Sequence, residues 1–318
     1  MKEKHMPELN RSFSVQVKLR KNIQKYWMHY LMLLPAVILL FVMAYIPMVG
    51  LIIAFKDYKV RGGISGFLTS KWVGLENFWY LKDPYFWTTV RNTLSISVYR
   101  MLVSMPLPIL VAIMLNEVRS RRFKRIVQSF SYLPNFVSWI IVSYMINQFL
   151  GLDTGLLNNL FRTLGMDPVY FMGKPEYFPT IVVLASIWKN TGWGTIIYLA
   201  ALSNVDPQLQ EAAIVDGAGR LKRIWHVDLP AIKPTIVVIL ILSMPGFFSA
   251  GYEQILPLQN PANMVASDVL EIYVMRLGLR QAQYSLSTAI GLVLSMINLA
   301  VVLLSNYVSR LMGEDGLF

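Results

Sequence analysis

Residues 211–230 read EAAIVDGAGRLKRIWHVDLP, a polar stretch between two segments too apolar to be anything but membrane spans. Just ahead of it, Asp206 can accept hydrogen bonds from the free amides of a first helical turn, and Pro207 has a fixed φ suited to the first helical position. A helix is predicted to begin there. Leu209, Ala212, Ala213 and Asp216 follow at helical spacing, so small side chains line one face and allow a close approach by a partner. Gly217 takes a left-handed cap freely and is predicted to end the helix. A second amphipathic turn carries Leu221, Ile224 and Trp225 on one side with Arg220, Lys222 and Arg223 around it, before Pro230 opens the next apolar segment. The product is an L-shaped pair at the membrane surface, the shape of a docking element.

Composition agrees with a chain whose solvent is the bilayer. Hydrophobic residues make up 55% of 318 and charged residues only 15%, too apolar for a soluble domain. The net charge of +11 does not point to nucleic acid, because the cations cluster beside apolar segments as the positive-inside rule requires of cytoplasmic loops. The absence of cysteine excludes disulfides, thiol nucleophiles and thiolate metal sites. His5, His29 and His226 are too scattered to form a ligand cluster, so no metal site and no catalytic residue is expected. No GxxxxGK[ST] phosphate loop occurs, so the chain is not expected to bind or hydrolyse nucleotide.

A hydrocarbon core of about 30 Å needs about 20 helical residues to cross it. Runs of that kind lie near 30–54, 92–115, 126–150, 179–202, 231–250 and 286–308, giving an all-α polytopic protein with six transmembrane helices. On this scheme residues 1–29 are a cytoplasmic N-terminal segment, 30–308 the membrane domain with a cytoplasmic loop at 203–230, and 309–318 a cytoplasmic tail. Residues 116–125 hold Arg119, Arg121, Arg122, Lys124 and Arg125, whereas 151–178 hold only Arg162 and Lys174, so both termini and the 203–230 insert fall on the cytoplasmic side. The basic loop at 55–91 runs against this pattern. Beyond the spans, short helices are predicted at 153–166 and at 267–279, the latter beginning with Asp268 and Glu271.

The insert resembles the EAA loop of ABC-importer permeases. That loop has Glu-Ala-Ala, a glycine after a three-residue gap, and a closing Leu-Pro, matched here by Glu211, Ala212, Ala213, Gly217, Leu229 and Pro230; Val227 stands where isoleucine is usual. WVGLENF at 72–78, RNTL at 91–94, WKNTGW at 188–193, YLAAL at 198–202 and LPAIKPT at 229–235 extend the likeness over nearly the whole chain. It is most similar to the carbohydrate-uptake permeases of oligosaccharides and polysaccharide fragments. The resemblance implies a type I ABC importer permease fold in a bacterial cytoplasmic (inner) membrane. It also implies a second, non-identical permease, an ATPase dimer that alone binds ATP and Mg, and an extracytoplasmic solute-binding protein. In that setting Glu211 is the charged anchor to the ATPase, Ala212 and Ala213 the close-contact face together with Asp216, and Gly217 the bend. An amphipathic helix lying on lipid headgroups is the plainer alternative for the same stretch.

Charges inside the predicted spans are costly and need a cavity or a partner. Lys189 falls about ten residues into its span, roughly 15 Å deep, and Arg100 about eight residues into another, roughly 12 Å deep. Ser186, Lys189, Asn190 and Trp193 share a helical face. Two roles fit: lining a substrate pathway, with Trp193, Trp188 or Tyr252 as stacking faces for sugar rings, or a polar contact between helices. Lining by both cations would favour an acidic saccharide. Pro245 and Gly246 mark a kink that would serve as a gate hinge. The rival reading, an ion-gradient-driven secondary transporter with Lys189 and Arg100 as relay, lacks an intramembrane carboxylate to carry protons. A membrane enzyme lacks any nucleophile or paired carboxylates.

Overall fold

The computed structural model describes residues 9–311, and its regular elements are helical, with a single isolated bridge between Lys56 and Trp72 in place of any strand among them. The chain divides into a first unit, Met1–Ile53, and a second, Ala54–Phe318. The first is a helix Leu9–Leu40, off helical geometry only at Tyr26, followed by a π turn Phe41–Tyr45 and a further turn Ile46–Val49. Helix therefore extends back through the basic residues Lys18, Arg20, Lys21 and Lys25, all good helix formers, well before the apolar run at 30–54. The last residues of the expected tail, from 312, lie outside the described residues.

Among the described residues, four helical stretches are long and apolar enough to cross a bilayer: Gln24–Phe55, Pro84–Asn116, Arg220–Gly246 and Tyr284–Leu311. A fifth long helix, Phe178–Ser203, has 26 residues with Lys189 and Asn190 set into its middle. Their starts follow the local chemistry. Asp83 accepts from the Tyr85 amide at 2.9 Å with Pro84 at the first helical position, so this helix begins well before the run at 92–115.

The run at 126–150 is not one helix. Arg121–Tyr132 is an amphipathic helix, Leu133–Phe136 a 3-10 turn, Val137 and Ser138 are extended, and Trp139–Leu150 is a separate short apolar helix. Pro134 lacks the amide that would continue the first helix, and the Ser138 hydroxyl caps the second through the Ile141 amide at 3.4 Å. Two further boundaries differ from expectation. Pro230 lies in the first turn of the apolar helix Leu229–Ser243, but no break precedes it: the chain is helical from Arg220, and a π turn at Ile224–Asp228 leads directly into that helix. At the other end this helix closes in a 3-10 turn, Met244–Gly246, instead of reaching 250. The helix at 156–163 forms as expected. The one expected from 267 starts at Leu270, with Asp268 outside it in an ion pair with Arg276 at 2.5 Å.

Three buried clusters hold the second unit together. At the end nearest the 206–230 insert, Ala112, Ile113 and Leu115 pack with Tyr198, Leu199, Leu202 and Ile232. At the opposite end, Ile96, Phe178, Val182, Ile255, Leu258 and Ile272 form one group, and Tyr80, Phe86, Leu270, Leu286 and Ile290 another. Phe178–Ser203 is the central element, and two glycines let neighbours approach it closely. A Cβ on Gly192 would overlap the Ser131 carbonyl, and one on Gly194 would meet Pro108 at 3.1 Å.

Candidate functional site

The insert has the predicted helix–glycine–helix form. Asp206 caps Pro207–Val215 by accepting from the Gln208 amide at 2.9 Å. The helix ends at Gly217, where φ is +74°, and the Ala218 amide turns back to the Ala213 carbonyl at 2.8 Å. Leu229 is half-buried and Pro230 exposed, both already inside the following helix. Glu211, Ala212 and Asp216 are exposed, and Ala213 is half-buried. The apolar side chains around them are open to solvent: Val215 is 86% exposed, Leu221 82% and Trp225 68%. Apolar groups of this size left uncovered on a polar loop mark a contact surface.

Beneath that surface lies a polar cluster with no signature in the sequence pattern. Gln210 Nε2 donates to Asp228 Oδ1 at 2.7 Å, and Arg223 Nη1 donates to Gln210 Oε1 at 3.1 Å. Arg223 Nη2 and Arg220 Nε each stand 3.9 Å from Glu117 Oε2, at the end of the helix Pro106–Asn116. Asp228 is 2% exposed. An acid placed directly before an apolar segment is the one cue that was available.

The charged residues within the spans are held by the fold. Lys189 is 7% exposed; its ammonium donates to the main-chain oxygens of Asn135 at 2.5 Å, Val137 at 2.7 Å and Pro134 at 3.4 Å, and lies 5.4 Å from the Trp139 ring centroid. It satisfies the carbonyls freed by the 133–138 break. Arg100 Nη2 donates to the Ala250 carbonyl at 2.7 Å and to Gln254 Oε1 at 3.2 Å. Gln254 in turn accepts from Ser186 at 2.9 Å and donates to the Val182 carbonyl at 2.6 Å. The polar face read from the sequence is therefore divided: Ser186 and Lys189 point inward, while Asn190 and Trp193 are exposed. Asn190 accepts from Asn135 at 3.3 Å, and Trp193 meets Phe136 edge-on at 6.0 Å.

Tyr252 stands apart from that group, beside Glu271, Tyr284 and Ser287 around a groove of about 490 Å³. Trp188 lines a larger cleft, about 620 Å³, with Phe149, Phe171 and Tyr177. Pro245 and Gly246 lie in the 3-10 turn that ends the long helix, so they terminate it instead of bending a helix that continues. Outside the spans, burial opposes the charge on Arg276, yet its hydrogen bonds and charge attraction to Asp268 outweigh that and hold its pKa above the ordinary value.

Long apolar helices and a solvent-facing apolar insert define a membrane transport component. The chain belongs to the family of binding-protein-dependent transport system inner membrane components, whose pattern matches residues 104–314. It is 41% identical over 290 residues to Protein LplB of Bacillus subtilis (strain 168), covering 91% of this chain and 90% of that one. It is 43% identical over 296 residues to the polygalacturonan/rhamnogalacturonan transport system permease protein YteP of the same organism, covering 93% and 91%. Among solved structures it is similar to a chain of a bacterial alginate ABC transporter in complex with an alginate pentasaccharide-bound periplasmic protein. The TM-score is 0.86 with 37% identity, covering 94% of this chain and 100% of that one.

Proposed function

We propose that this chain is one of two non-identical permease subunits of an ATP-driven importer, carrying an oligosaccharide delivered by a solute-binding protein across a bacterial cytoplasmic membrane. The observation that carries the reading is the insert: a capped helix, a left-handed glycine and a second helix, with Val215, Leu221 and Trp225 uncovered. An ATPase dimer is the partner that would cover them, with Glu211 as charged anchor, Ala212, Ala213 and Asp216 at the contact, and ATP and Mg held by that partner.

Six crossings with both termini cytoplasmic accommodate the helices, the third crossing comprising Arg121–Tyr132 and Trp139–Leu150 together. Irregular backbone at membrane depth is tolerated only where protein satisfies it, which is the role Lys189 plays toward residues 134–137. The charge asymmetry between residues 116–125 and 151–178 supports this orientation. Asn190, Trp193 and Tyr252 are the pathway residues we favour, since their polar and aromatic groups are exposed. Gly246 and Pro245, at the end of a helix, remain the place where a gate would turn.

An acidic oligosaccharide is the cargo class we favour, on the strength of relatives named for polygalacturonan and alginate. Lys189 and Arg100 do not add to that choice, because both cations are spent on internal hydrogen bonds.

Affinity purification in mild detergent, wild type beside Glu211→Lys, tests the reading. Retention of an ATPase and a second permease by the wild type, with the ATPase alone lost in the mutant, is expected. A chain that emerges alone in both samples while folded would overturn it. Uptake that persists after cytosolic ATP is depleted, with the proton gradient intact, would favour the secondary transporter.

A further inference from the structure

We propose that Gln210, Arg223, Asp228 and Glu117 form a polar weld that makes the docking insert and the ends of two long helices move as one body. They are positioning residues for coupling, and the inference rests on the insert being the element that docks the ATPase.

Between the two helical parts of the insert the chain passes through Gly217 and its neighbours, where nothing lies within 4 Å of a Cβ built on Gly217 or Gly219. Left to itself, such a joint would flex and absorb any push delivered to Pro207–Val215. The side chain of Gln210 spans it. Its amide nitrogen binds Asp228, 18 residues ahead, and its oxygen receives Arg223, 13 residues ahead. Both partners lie on Arg220–Gly246, a continuous helical stretch of 27 residues.

Energetics favour a defined geometry at this point. A buried carboxylate is costly unless it is hydrogen-bonded, and Asp228 is buried at the foot of an apolar helix with a 2.7 Å bond from Gln210. Moving the first helix relative to the second would strip that bond from the carboxylate. The pairs with Glu117, at 3.9 Å, are weaker by themselves. Their effect is to tether Arg223 to the end of Pro106–Asn116, which packs on Tyr198, Leu199 and Leu202 of the central helix. A displacement of the insert is thus passed both to Arg220–Gly246 and to Pro84–Asn116.

The test uses the complete transporter in liposomes, measuring sugar taken up per ATP hydrolysed and the ATPase retained on purification. In Gln210→Leu, Arg223→Met and Asp228→Leu the ATPase stays bound and hydrolysis continues, while uptake per ATP falls roughly fivefold or more. Asp228→Asn keeps an acceptor for Gln210 and retains most of the wild-type ratio. Because this chain has no cysteine, a Gln210→Cys, Arg223→Cys pair can be bridged selectively with a short bis-thiosulfonate in a transporter whose other subunits have also been freed of cysteine. The ratio is expected to be low when the pair is reduced and to recover on bridging. A wild-type ratio in Gln210→Leu and Arg223→Met, loss of the ATPase from those variants, or no recovery on bridging would overturn the weld. A wild-type complex that holds no ATPase at all would instead defeat the docking reading.

Discussion

Arg100 and Ala250 are joined by a 2.7 Å hydrogen bond from the guanidinium to a main-chain oxygen, and this bond ties the last turns of the helix Pro84–Ser104 to the turn that follows Arg220–Gly246. From the other side Glu271 accepts from the amides of Gly251 at 3.1 Å and Tyr252 at 2.9 Å and from the Ser249 hydroxyl at 2.7 Å. The turn is gripped between a cation and an anion, with Gly251 in a left-handed conformation at φ +82°.

Removing the cation should loosen that turn. Arg100→Met loses a charge-assisted hydrogen bond worth about 1.5–3 kcal/mol, which lowers the thermal unfolding temperature of the purified protein in detergent. Arg100→Lys keeps one donor and is expected to lose less. Equal unfolding temperatures for Arg100→Met and wild type would show that the bond carries no stability.

Lys189→Met strips the ammonium donor from the carbonyls of Asn135 and Val137, while Pro134 keeps its bond from the Val137 amide, at a cost of ~1–3 kcal/mol. The expected sign is reduced stability and faster proteolysis between residues 133 and 138. A pathway residue would behave differently, with stability unchanged and a raised KM for uptake.

Gly192→Ala places a methyl group on the Ser131 carbonyl, so the central helix must move away from Arg121–Tyr132. Overpacking of this kind costs about 1–3 kcal/mol. Thermal unfolding in detergent measures it, and Gly291→Ala, where nothing lies within 4 Å, is the control expected to be nearly silent.

Gly217→Val forces a β-branched residue to φ +74°, and Ala213→Asp puts a charge into the close-contact face. In both, membrane insertion is expected to persist while uptake falls at least tenfold, read by transport assay beside quantitation of the protein in membranes. Full transport in both would sink the assignment of the insert.

Asp268→Asn removes the anionic partner of the half-buried Arg276, which also bonds to Tyr85. Breaking a buried pair by deleting one partner costs ~3–5 kcal/mol, so this substitution is expected to lower the unfolding temperature more than any other above.

The insert was legible in the sequence because its chemistry is local: Asp206, Pro207 and Gly217 each fix the backbone at their own position. The long apolar helices were legible from composition. The break at 133–138 was hidden, since Leu133, Phe136 and Val137 keep the run apolar while Pro134 and Ser138 interrupt it, and hydropathy averages over both. Lys189 and Arg100 stood out as charges, but the main-chain oxygens they bind lie 52–55 and 150 residues away, and the Gln254 side chain that Arg100 also binds lies 154 away, distances no helical period reports. Gln210 gave no signal, because an amide on a polar helix is ordinary until its neighbour across the turn is known.

The inward turn of Lys189 also decides what charge is left on the surface beside it. With its ammonium turned to the Asn135 and Val137 carbonyls, the exposed residues beside it, Asn190 and Trp193, offer an amide and a ring with no fixed charge. Were the proposed acidic cargo to pass this surface, it would meet transient stacking and dipolar contacts in place of an ion pair that must be broken in a low-dielectric setting. On the proposed pathway, dwell time there would be short, and the translocation step would favour throughput over retention.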